Sequence, residues 1–313
     1  MHVPLREKLL VERIRRAAFS RRKDAIGIGD DCAVVNLPRG HEALVTTDFT
    51  LEDVHFRQAW HPPDSVGHRC LARGLSDIAA MGGVPQAAFL SLALPPELLQ
   101  RWIDSFVRGL LRLASRSGVV LAGGDTAQSP AGILCDIIVL GSAPKGGAVL
   151  RSGAKPGDHL FVTGTLGASA AALNGLRDGR KLRPRDHPKH FYPEPRIAVG
   201  RYLREKKLAS AMIDISDGLS TDLGHICDES QAGAVVVLEA LPVAPGADLD
   251  LALHGGEEYE LLFTARPNRR VPREVAGIPI TRIGEIVRGR GMKLRDPKGG
   301  TKALKPGGWQ HFG

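Results

Sequence analysis

Six short segments of this chain place an aspartate or glutamate beside glycine, serine or threonine, and each follows or precedes an apolar run. They are residues 29–31, 46–48, 75–77, 123–126, 213–218 and 255–258. Gathered by folding, these carboxylates form one strongly anionic cluster. Two carboxylates about 4 Å apart repel by roughly 4 kcal/mol at an effective dielectric constant of about 20, so such a cluster needs protons or cations. Hard carboxylate and hydroxyl oxygens favour Mg²⁺, and Mg²⁺ with nucleotide phosphates indicates phosphoryl transfer.

Each segment also has an ordinary structural explanation. Aspartate beside glycine or serine is common in turns and at helix starts, because its side chain bonds nearby backbone N–H groups. One segment alone therefore favours a turn. Six in one chain favour a shared anionic site.

Composition indicates a globular protein. The chain has 313 residues, of which 43% are hydrophobic and 24% are charged, and this length accommodates two domains. No apolar run approaches the roughly 20 residues of a membrane span. Residues 1–16 form a basic amphipathic stretch without the apolar centre of a secretory signal, so we expect a cytoplasmic protein. The four cysteines are widely separated and predict neither disulfides nor zinc.

The formal net charge of +8 has two explanations. A basic protein attracts nucleic acid, but the lysines and arginines here are scattered and no set of stacking aromatic residues accompanies them. We therefore expect a solvated basic face or attraction of phosphorylated ligands, with no nucleic-acid partner.

Apolar patterns predict two layered α/β domains with mixed sheets, divided by the turn-rich break at 144–147 into residues 1–146 and 147–313. The predicted strands are 43–48, 87–94, 119–122, 133–141, 159–163, 211–215, 234–238, 259–265 and 283–287. The predicted helices are 65–81, 96–115, an alanine-rich helix after 164–167, 195–206 and 219–229. Residues 178–195 are polar, basic and proline-containing, and predict a mobile loop.

Neither the GxxxxGK[ST] phosphate loop nor the GxGxxG dinucleotide motif occurs in the chain. The glycine-rich pieces at 27–29 and 123–124 are followed by aspartate rather than lysine. Phosphate charge would therefore be neutralised mainly by metal ions held on aspartates, with backbone N–H groups in support.

Seven motifs, in order from residue 27 to about 264, resemble the thiamine-monophosphate kinase family. They are GIGDDCA at 27–33, TTD at 46–48 with a following His-Phe, LSDIAAMG at 75–82, GGDT at 123–126, RSGAKPGD at 151–158, IDISDGL at 213–219 and GGEEYEL at 255–261. A last piece, GWQHF, stands at 308–312. The combination is specific, although each motif alone is weak.

The resemblance implies an ATP-dependent enzyme that phosphorylates thiamine monophosphate to thiamine diphosphate by direct in-line transfer, without a covalent nucleophile on the protein. It implies a homodimer in which N-terminal domains pair into a barrel-like core. The domain at 1–146 would bind ATP and Mg²⁺ and dimerise, and the domain at 147–313 would bind nucleotide and substrate.

Site residues follow from the same resemblance, position by position. The implied ligands of several Mg²⁺ ions are Asp31, Thr46, Thr47, Asp48, Asp77, Asp125, Asp214 and Asp217. The implied ATP contacts are Gly124, Asp125, Arg151 and Ser216. The implied thiamine-phosphate contacts are His55, Glu257 and Trp309.

Alternatives remain at single positions. Arg151 is also an ordinary exposed turn residue, His55 an ordinary core histidine, and Trp309 a residue that packs on its own domain. The chain departs from the family pattern at His254, where serine is common, and at Glu258, where aspartate is common. The alternative functions are another ATP-dependent enzyme of the same superfamily, or a non-catalytic protein that binds nucleotide or thiamine phosphate.

Overall fold

The computed structural model describes residues 7–18, 25–26, 28 and 32–310. Two compact units are present. The first comprises Met1–Ile78 and Val84–Gly146, and the second comprises Ala79–Gly83 and Gly147–Gly313. Both carry a mixed sheet with helices, which confirms the predicted α/β fold class.

The first unit is built around a four-stranded sheet. Its elements are α1 (Glu7–Ala17), β1 (Ala25–Ile26), β2 (Val34–Val35), β3 (His41–Leu51), α2 (Pro63–Ala80), β4 (Val84–Leu94), α3 (Gln100–Ser117), β5 (Val120–Gln128) and β6 (Leu134–Pro144). The strand order is β3-β6-β4-β5, with β4 and β5 parallel and the other neighbours antiparallel; β1 and β2 pair separately.

The two faces of this sheet differ. On one face α2 packs against β3 and β6, and its buried leucines at positions 71 and 75 contribute to the core. On the other face the side chains of Val45 and Phe49 are 67% and 55% exposed. Since a strand alternates its side chains, β3 places neighbouring residues on opposite faces.

Helix α2 lies very close to its neighbours because three glycines omit a side chain at the contacts. A Cβ at Gly67 would lie 2.0 Å from the carbonyl oxygen of Phe106 on α3, and one at Gly109 would lie 1.9 Å from that of Asp64 on α2. Toward the sheet, a Cβ at Gly74 would lie 2.6 Å from a methyl group of Val139. The position of α2 is thus fixed on two sides.

The second unit has a larger sheet covered on both faces. Its elements are β7 (His159–Thr163), α4 (Ala168–Arg177), α5 (Pro188–Phe191), α6 (Ile197–Glu205), β8 (Ala209–Asp214), α7 (Leu219–Ser230), β9 (Gly233–Val237), α8 (Leu249–His254), β10 (Leu261–Ala265), β11 (Glu274–Val275), β12 (Ile278–Val287), β13 (Met292–Arg295) and β14 (Thr301–Leu304). The order is β14-β13-β9-β12-β7-β10-β8, with β11 on β12; only β13 and β9 are parallel neighbours.

Alternation along the strands produces two cores in this unit. Leu160 and Val162 of β7 belong to a cluster with the apolar face of α7. Phe161 points the other way, stacks on Phe263 with ring centroids 5.2 Å apart, and packs with the cluster that includes Leu203 of α6. Helices therefore cover both faces of the sheet.

The stretch 178–195 contains more structure than the predicted mobile loop. It has a 3-10 turn at Pro184–Asp186 and the short helix α5. Each begins with proline, whose fixed φ favours the first helical position. His190 and Phe191 are buried, so α5 is anchored in the second unit.

Two further expectations concern the whole chain. None of the described helices combines the length and apolar character required to span a bilayer. The four cysteines are free thiols: Cys70, Cys135 and Cys227 are buried and Cys32 is exposed.

Candidate functional site

In the first unit, β3 and α2 bring together three of the predicted metal ligands. The hydroxyl of Thr46 donates a hydrogen bond to Oδ2 of Asp77. Asp48 lies two residues further on the same face of β3, and its carboxylate is 3.5 Å from the Arg73 guanidinium. The close approach at Gly74 allows this contact between helix and strand.

The electrostatics of this group favour a bound cation. The pKa of Asp48 is raised to about 6, mainly by burial and to a lesser extent by the Asp77 carboxylate, while the Arg73 guanidinium acts in the opposite direction. A half-buried pair of competing carboxylates beside a hydroxyl is the hard oxygen donor set that suits Mg²⁺. The residues present therefore fit the predicted metal.

Thr47 and Asp125 lie on the other face of the same sheet. The Thr47 hydroxyl donates to Oδ1 of Asp136 at 2.7 Å. In the strand register Asp136 pairs with Ser91, and Ser91 pairs with Asp125, so these three residues share a face. The strand alternation thus separates the side chains of Thr47 and Asp125 from the Thr46 group. Asp136 was not predicted, since it stands alone within an apolar strand.

Gly124 has a structural requirement of its own. Its φ is 149°, and a Cβ would lie 1.8 Å from the carbonyl oxygen of Leu90 on the neighbouring strand. Only glycine fits there. The predicted ligand Asp31 lies outside the described residues.

His55 lies in the turn after β3 and is half-buried. The ring Nδ1 of His55 accepts a hydrogen bond from the backbone N–H of Leu51 at 3.0 Å. The backbone N–H of His55 donates to the Leu51 carbonyl at 2.9 Å. The next residue, Phe56, is buried and packs near Trp102. The ring of His55 is therefore oriented by the backbone, with Nε2 carrying the proton in the neutral form.

In the second unit, the turn between β8 and α7 carries Asp214, Ser216 and Asp217. Asp214 is the last residue of β8 and is buried. The turn is held by Asp222, whose Oδ2 accepts the N–H groups of Ser216, Asp217 and Gly218 at 3.1, 3.2 and 3.1 Å. Burial and then the Asp217 charge raise the pKa of Asp222 to about 7, against the three N–H groups, which lower it.

Asp222 and His225 also extend the group around Asp217. One ligand atom from each of these three residues lies within 4.8 Å of the others, which is a spacing that could hold a metal ion. Sequence reasoning missed both residues. An aspartate in the first turn of a helix was the available signal, because such a carboxylate caps backbone N–H groups.

The 255–258 segment runs beside this turn in a strained backbone conformation. The N–H of Glu257 donates to the Ser216 carbonyl at 2.7 Å, and that of Tyr259 donates to the Ile215 carbonyl at 2.9 Å. Glu257 and Tyr259 have φ values of 59° and 52°, which side-chain-bearing residues seldom adopt. Such strain often accompanies functional sites. Glu257, a predicted contact of the thiamine phosphate, and Ser216, a predicted contact of ATP, are thus neighbours.

Trp309 also lies beside this turn. Its N–H donates to the Asp217 carbonyl at 3.0 Å, while its side chain is 48% exposed. Arg151 is exposed, and its turn is organised by Ser230. The Ser230 hydroxyl donates to the Arg151 carbonyl at 2.9 Å and accepts the N–H groups of Gly153 and Ala154.

Behind Glu257, two buried glutamates tie the motif to its surroundings. Oε1 of Glu258 accepts the Ser169 N–H at the start of α4 at 3.0 Å, and Oε2 is buried without a hydrogen-bond partner among the described residues. Glu260 accepts from Lys189 at 2.8 Å and from Arg196 at 2.6 and 2.7 Å. Burial opposes its ionisation, but Arg196 and Lys189 outweigh burial and lower its pKa.

Comparison with known proteins gives a consistent result. Residues 29–143 match the N-terminal domain, and residues 155–297 the C-terminal domain, of AIR synthase related protein. The chain is 40% identical to the thiamine-monophosphate kinase of Escherichia coli strain K12 over 296 residues, which cover 89% of both chains.

Two solved structures are similar to this chain along almost its entire length. The crystal structure of thiamine-monophosphate kinase from Stenotrophomonas maltophilia K279a is similar with a TM-score of 0.81 and 34% identity, over 94% of this chain and 98% of that one. The structure of AaThiL complexed with AMPPCP and TMP is similar with a TM-score of 0.79 and 29% identity, over 98% and 99% of the two chains.

Proposed function

This chain belongs to the thiamine-monophosphate kinase family, and on that basis we propose that it transfers the terminal phosphoryl group of ATP to thiamine monophosphate, yielding thiamine diphosphate and ADP. The observation that carries the proposal is similarity along almost the entire length, at 40% identity over 89% of both chains. The similar structure of AaThiL complexed with AMPPCP and TMP supports the choice of both substrates.

We propose that several Mg²⁺ ions take part and that Thr46, Asp48 and Asp77 hold one of them. When bound, Mg²⁺ neutralises negative charge on the reacting phosphates. The protein contributes pre-positioned oxygens: α2 fixes Asp77 against Thr46, and Arg73 keeps Asp48 oriented. The raised pKa of Asp48 supports this role: burial, and to a lesser extent the Asp77 charge, disfavour its ionised form, and a bound cation would favour that form.

We propose that the remaining predicted metal ligands bind metal at two other places. Asp214 and Asp217 would bind metal at the start of α7, and Thr47 and Asp125 on the opposite face of the first sheet from Thr46. Asp31 completes the proposed set. Gly124, Asp125, Arg151 and Ser216 are the proposed ATP contacts.

For the acceptor we propose contacts with His55, Glu257 and Trp309. The thiazolium ring of thiamine is a cation, which a carboxylate attracts and an indole face binds through cation–π contact. The backbone of Glu257 is fixed by its bond to Ser216, which supports a defined carboxylate position. The acceptor phosphate is largely ionised near neutral pH, so direct in-line transfer needs no strong general base.

The deciding experiment is a product assay. The purified protein is incubated with ATP, Mg²⁺ and thiamine monophosphate, and thiamine diphosphate and ADP are measured by chromatography. Equal amounts of the two products support the proposal. ADP formation only with a different acceptor would favour another enzyme of the superfamily, and ligand binding without ADP formation would favour the non-catalytic alternative.

We also propose that the protein is a homodimer with a barrel-like core and that it is cytoplasmic. The dimer proposal is supported by the open face of the first sheet, where Val45 and Phe49 are 67% and 55% exposed. Large exposed apolar side chains on one sheet face are typical of association surfaces.

A further inference from the structure

The C-terminal tail, defined as residues 305–310, follows β14 and is attached to the start of α7 by three successive backbone N–H groups. Gly307 donates to the Ser220 hydroxyl at 3.1 Å, and Gly308 donates to the Thr221 hydroxyl at 3.1 Å. Trp309 donates to the Asp217 carbonyl at 3.0 Å. These three hydrogen bonds fix the backbone position from which the Trp309 side chain extends.

His254 lies beneath this attachment. It is the last residue of α8, and its Nδ1 is 2.8 Å from the hydroxyl of Ser220, which is fully buried. A Cβ at Gly307 would lie 2.7 Å from the same Nδ1, so the tail backbone lies directly against the imidazole ring. His254 also immediately precedes the 255–258 segment.

We propose that His254 is a positioning residue for the thiamine substrate: with Ser220 it holds the C-terminal tail against α7, so that Trp309 stays beside Asp217. His254 connects α7, the tail and the segment carrying Glu257. It acts through Ser220 and Gly307 and is not proposed to contact substrate. The inference rests on the proposed function, because it takes Trp309 as a thiamine contact.

The geometry explains why such support matters. The Trp309 indole is 48% exposed, so surrounding protein does not fix it by burial alone. Residues 305–310 lie outside helices and strands, so their position depends on the hydroxyls that accept their backbone N–H groups. Ser220 accepts the Gly307 N–H, and His254 occupies the other side of that hydroxyl.

The test compares His254→Ala and His254→Asn with the wild-type protein by two readouts. The first is amide hydrogen exchange of the tail peptide, measured by mass spectrometry without substrate. We expect about tenfold faster exchange in His254→Ala. His254→Asn retains a polar atom near the Nδ1 position and should be intermediate.

The second readout is steady-state kinetics. We expect the KM for thiamine monophosphate to rise about three- to tenfold in His254→Ala, the range for loss of one hydrogen bond, with little change in the KM for ATP. In a Trp309→Ala background the same substitution should add nothing further, because the two residues act on one contact. His41→Ala, which removes a histidine from β3, is the matched control and should change neither readout.

Three results would overturn the proposal: unchanged tail exchange in His254→Ala, faster exchange with an unchanged KM for thiamine monophosphate, or additive effects with Trp309→Ala. If His254→Ala does not fold, Gly307→Ala tests the same contact by placing a methyl group against the ring, and is expected to show the same two changes. If the wild-type protein does not phosphorylate thiamine monophosphate, the proposed function fails, and tail exchange alone decides whether His254 holds the tail.

Discussion

The charges of Asp48 and Asp77 have opposite effects on folding and on the proposed function. In the absence of cations both burial and the neighbouring Asp77 charge disfavour the ionised form of Asp48, and burial is the larger cause of its raised pKa. In the proposed function the same two charges would be useful, because a pair of carboxylates attracts Mg²⁺. A residue that is unfavourable for stability is thus expected to be required for activity.

Asp77→Asn should therefore separate the two effects. The amide retains an oxygen that can accept the Thr46 hydroxyl but removes the charge. We expect turnover to fall by about 10²–10³-fold, while stability without metal stays equal or rises by about 1 kcal/mol. Addition of Mg²⁺ should raise the melting temperature of the wild-type protein more than that of the variant.

Asp178→Asn is the control for this prediction, since Asp178 is exposed and its ion pair with Arg180 is 3.9 Å long. It should leave both turnover and Mg²⁺ response at wild-type values. Near wild-type turnover in Asp77→Asn would contradict the proposed role of this carboxylate.

Glu258 offers a prediction about pH. Burial is the main cause that raises its pKa from 4.5 to about 7, against the Lys189 charge and the Ser169 N–H. The native protein therefore binds a proton that the unfolded chain releases between about pH 4.5 and 7, so the free energy of unfolding falls as pH rises through this window. The Glu258→Gln variant should not show this fall, which amounts to up to about 3 kcal/mol in the wild-type protein. Above pH 7 the variant should therefore be more stable than the wild type.

Urea unfolding of both proteins between pH 4 and 8 measures this effect, with the exposed Glu274→Gln as the matched control. The wild-type and Glu258→Gln curves should converge near pH 4 and separate above pH 7. Parallel curves over the whole range would show that Glu258 does not carry the proton.

The roles of single residues were predictable where a sequence motif surrounds them. They were not predictable where the role depends on tertiary contacts. The 213–218 and 255–258 segments each indicate chemistry, and the structure makes them neighbours through Glu257 and Ser216. Ser230 could not be predicted, because its role depends on which backbone groups folding brings to it. For Asp222 the sequence signals a helix start but not the three N–H groups that its carboxylate accepts. The strand alternation that separates Thr46 from Thr47 follows from strand geometry once β3 is assigned.

At the scale of elements, the anchoring of α5 and α6 depends on one buried charge network. The Glu260 carboxylate is 0% exposed and contacts Arg196 and Lys189, whose side chains are 12% and 28% exposed. Buried ion pairs add little when complete, but removing one partner leaves an uncompensated buried charge. The segment that sequence composition presents as a loop is therefore strongly attached.

Arg196→Met should destabilise the second unit by about 3 kcal/mol, because Glu260 keeps its burial but loses its bidentate partner. Arg183→Met is the matched control on the same stretch. Its ion pair with Asp186 is 2.7 Å long but exposed on both sides, so it should cost less than about 1 kcal/mol. Equal, small losses of unfolding free energy in urea for the two variants would refute the role of the buried network.

Element boundaries show where sequence patterns fail. The predicted strand at 119–122 stops at Gly123, but β5 continues to Gln128 because it pairs in parallel with β4, and this pairing overrides the low strand preference of glycine. The two strands β13 and β14 were not predicted. Both are short and follow glycine-rich turns. β14 stands at the sheet edge with β13 beside it, and only β13 alternates apolar with charged residues, so pairing rather than composition defines these strands.

At the scale of the whole molecule, the open face of the first sheet predicts self-association. Light scattering should give a mass near twice 33.5 kDa for the wild-type protein. Phe49→Arg places a charge on the apolar face and should shift the population toward monomer, since burying an unpaired charge is costly. Leu99→Arg, at another partly exposed apolar residue outside this face, is the control. A wild-type protein that is monomeric and fully active would exclude the dimer proposal.

The three glycines around α2 have a consequence for how related sequences should be compared. Gly67 and Gly109 set the distance between α2 and α3, and Gly74 sets the distance between α2 and the sheet. Because Asp77 reaches Thr46 across that last gap, the proposed metal site depends on these glycines although none of them offers a ligand. We therefore expect related chains with the same metal site to keep glycine at these three positions, and a larger residue at position 74 to be accompanied by a smaller one in place of Val139.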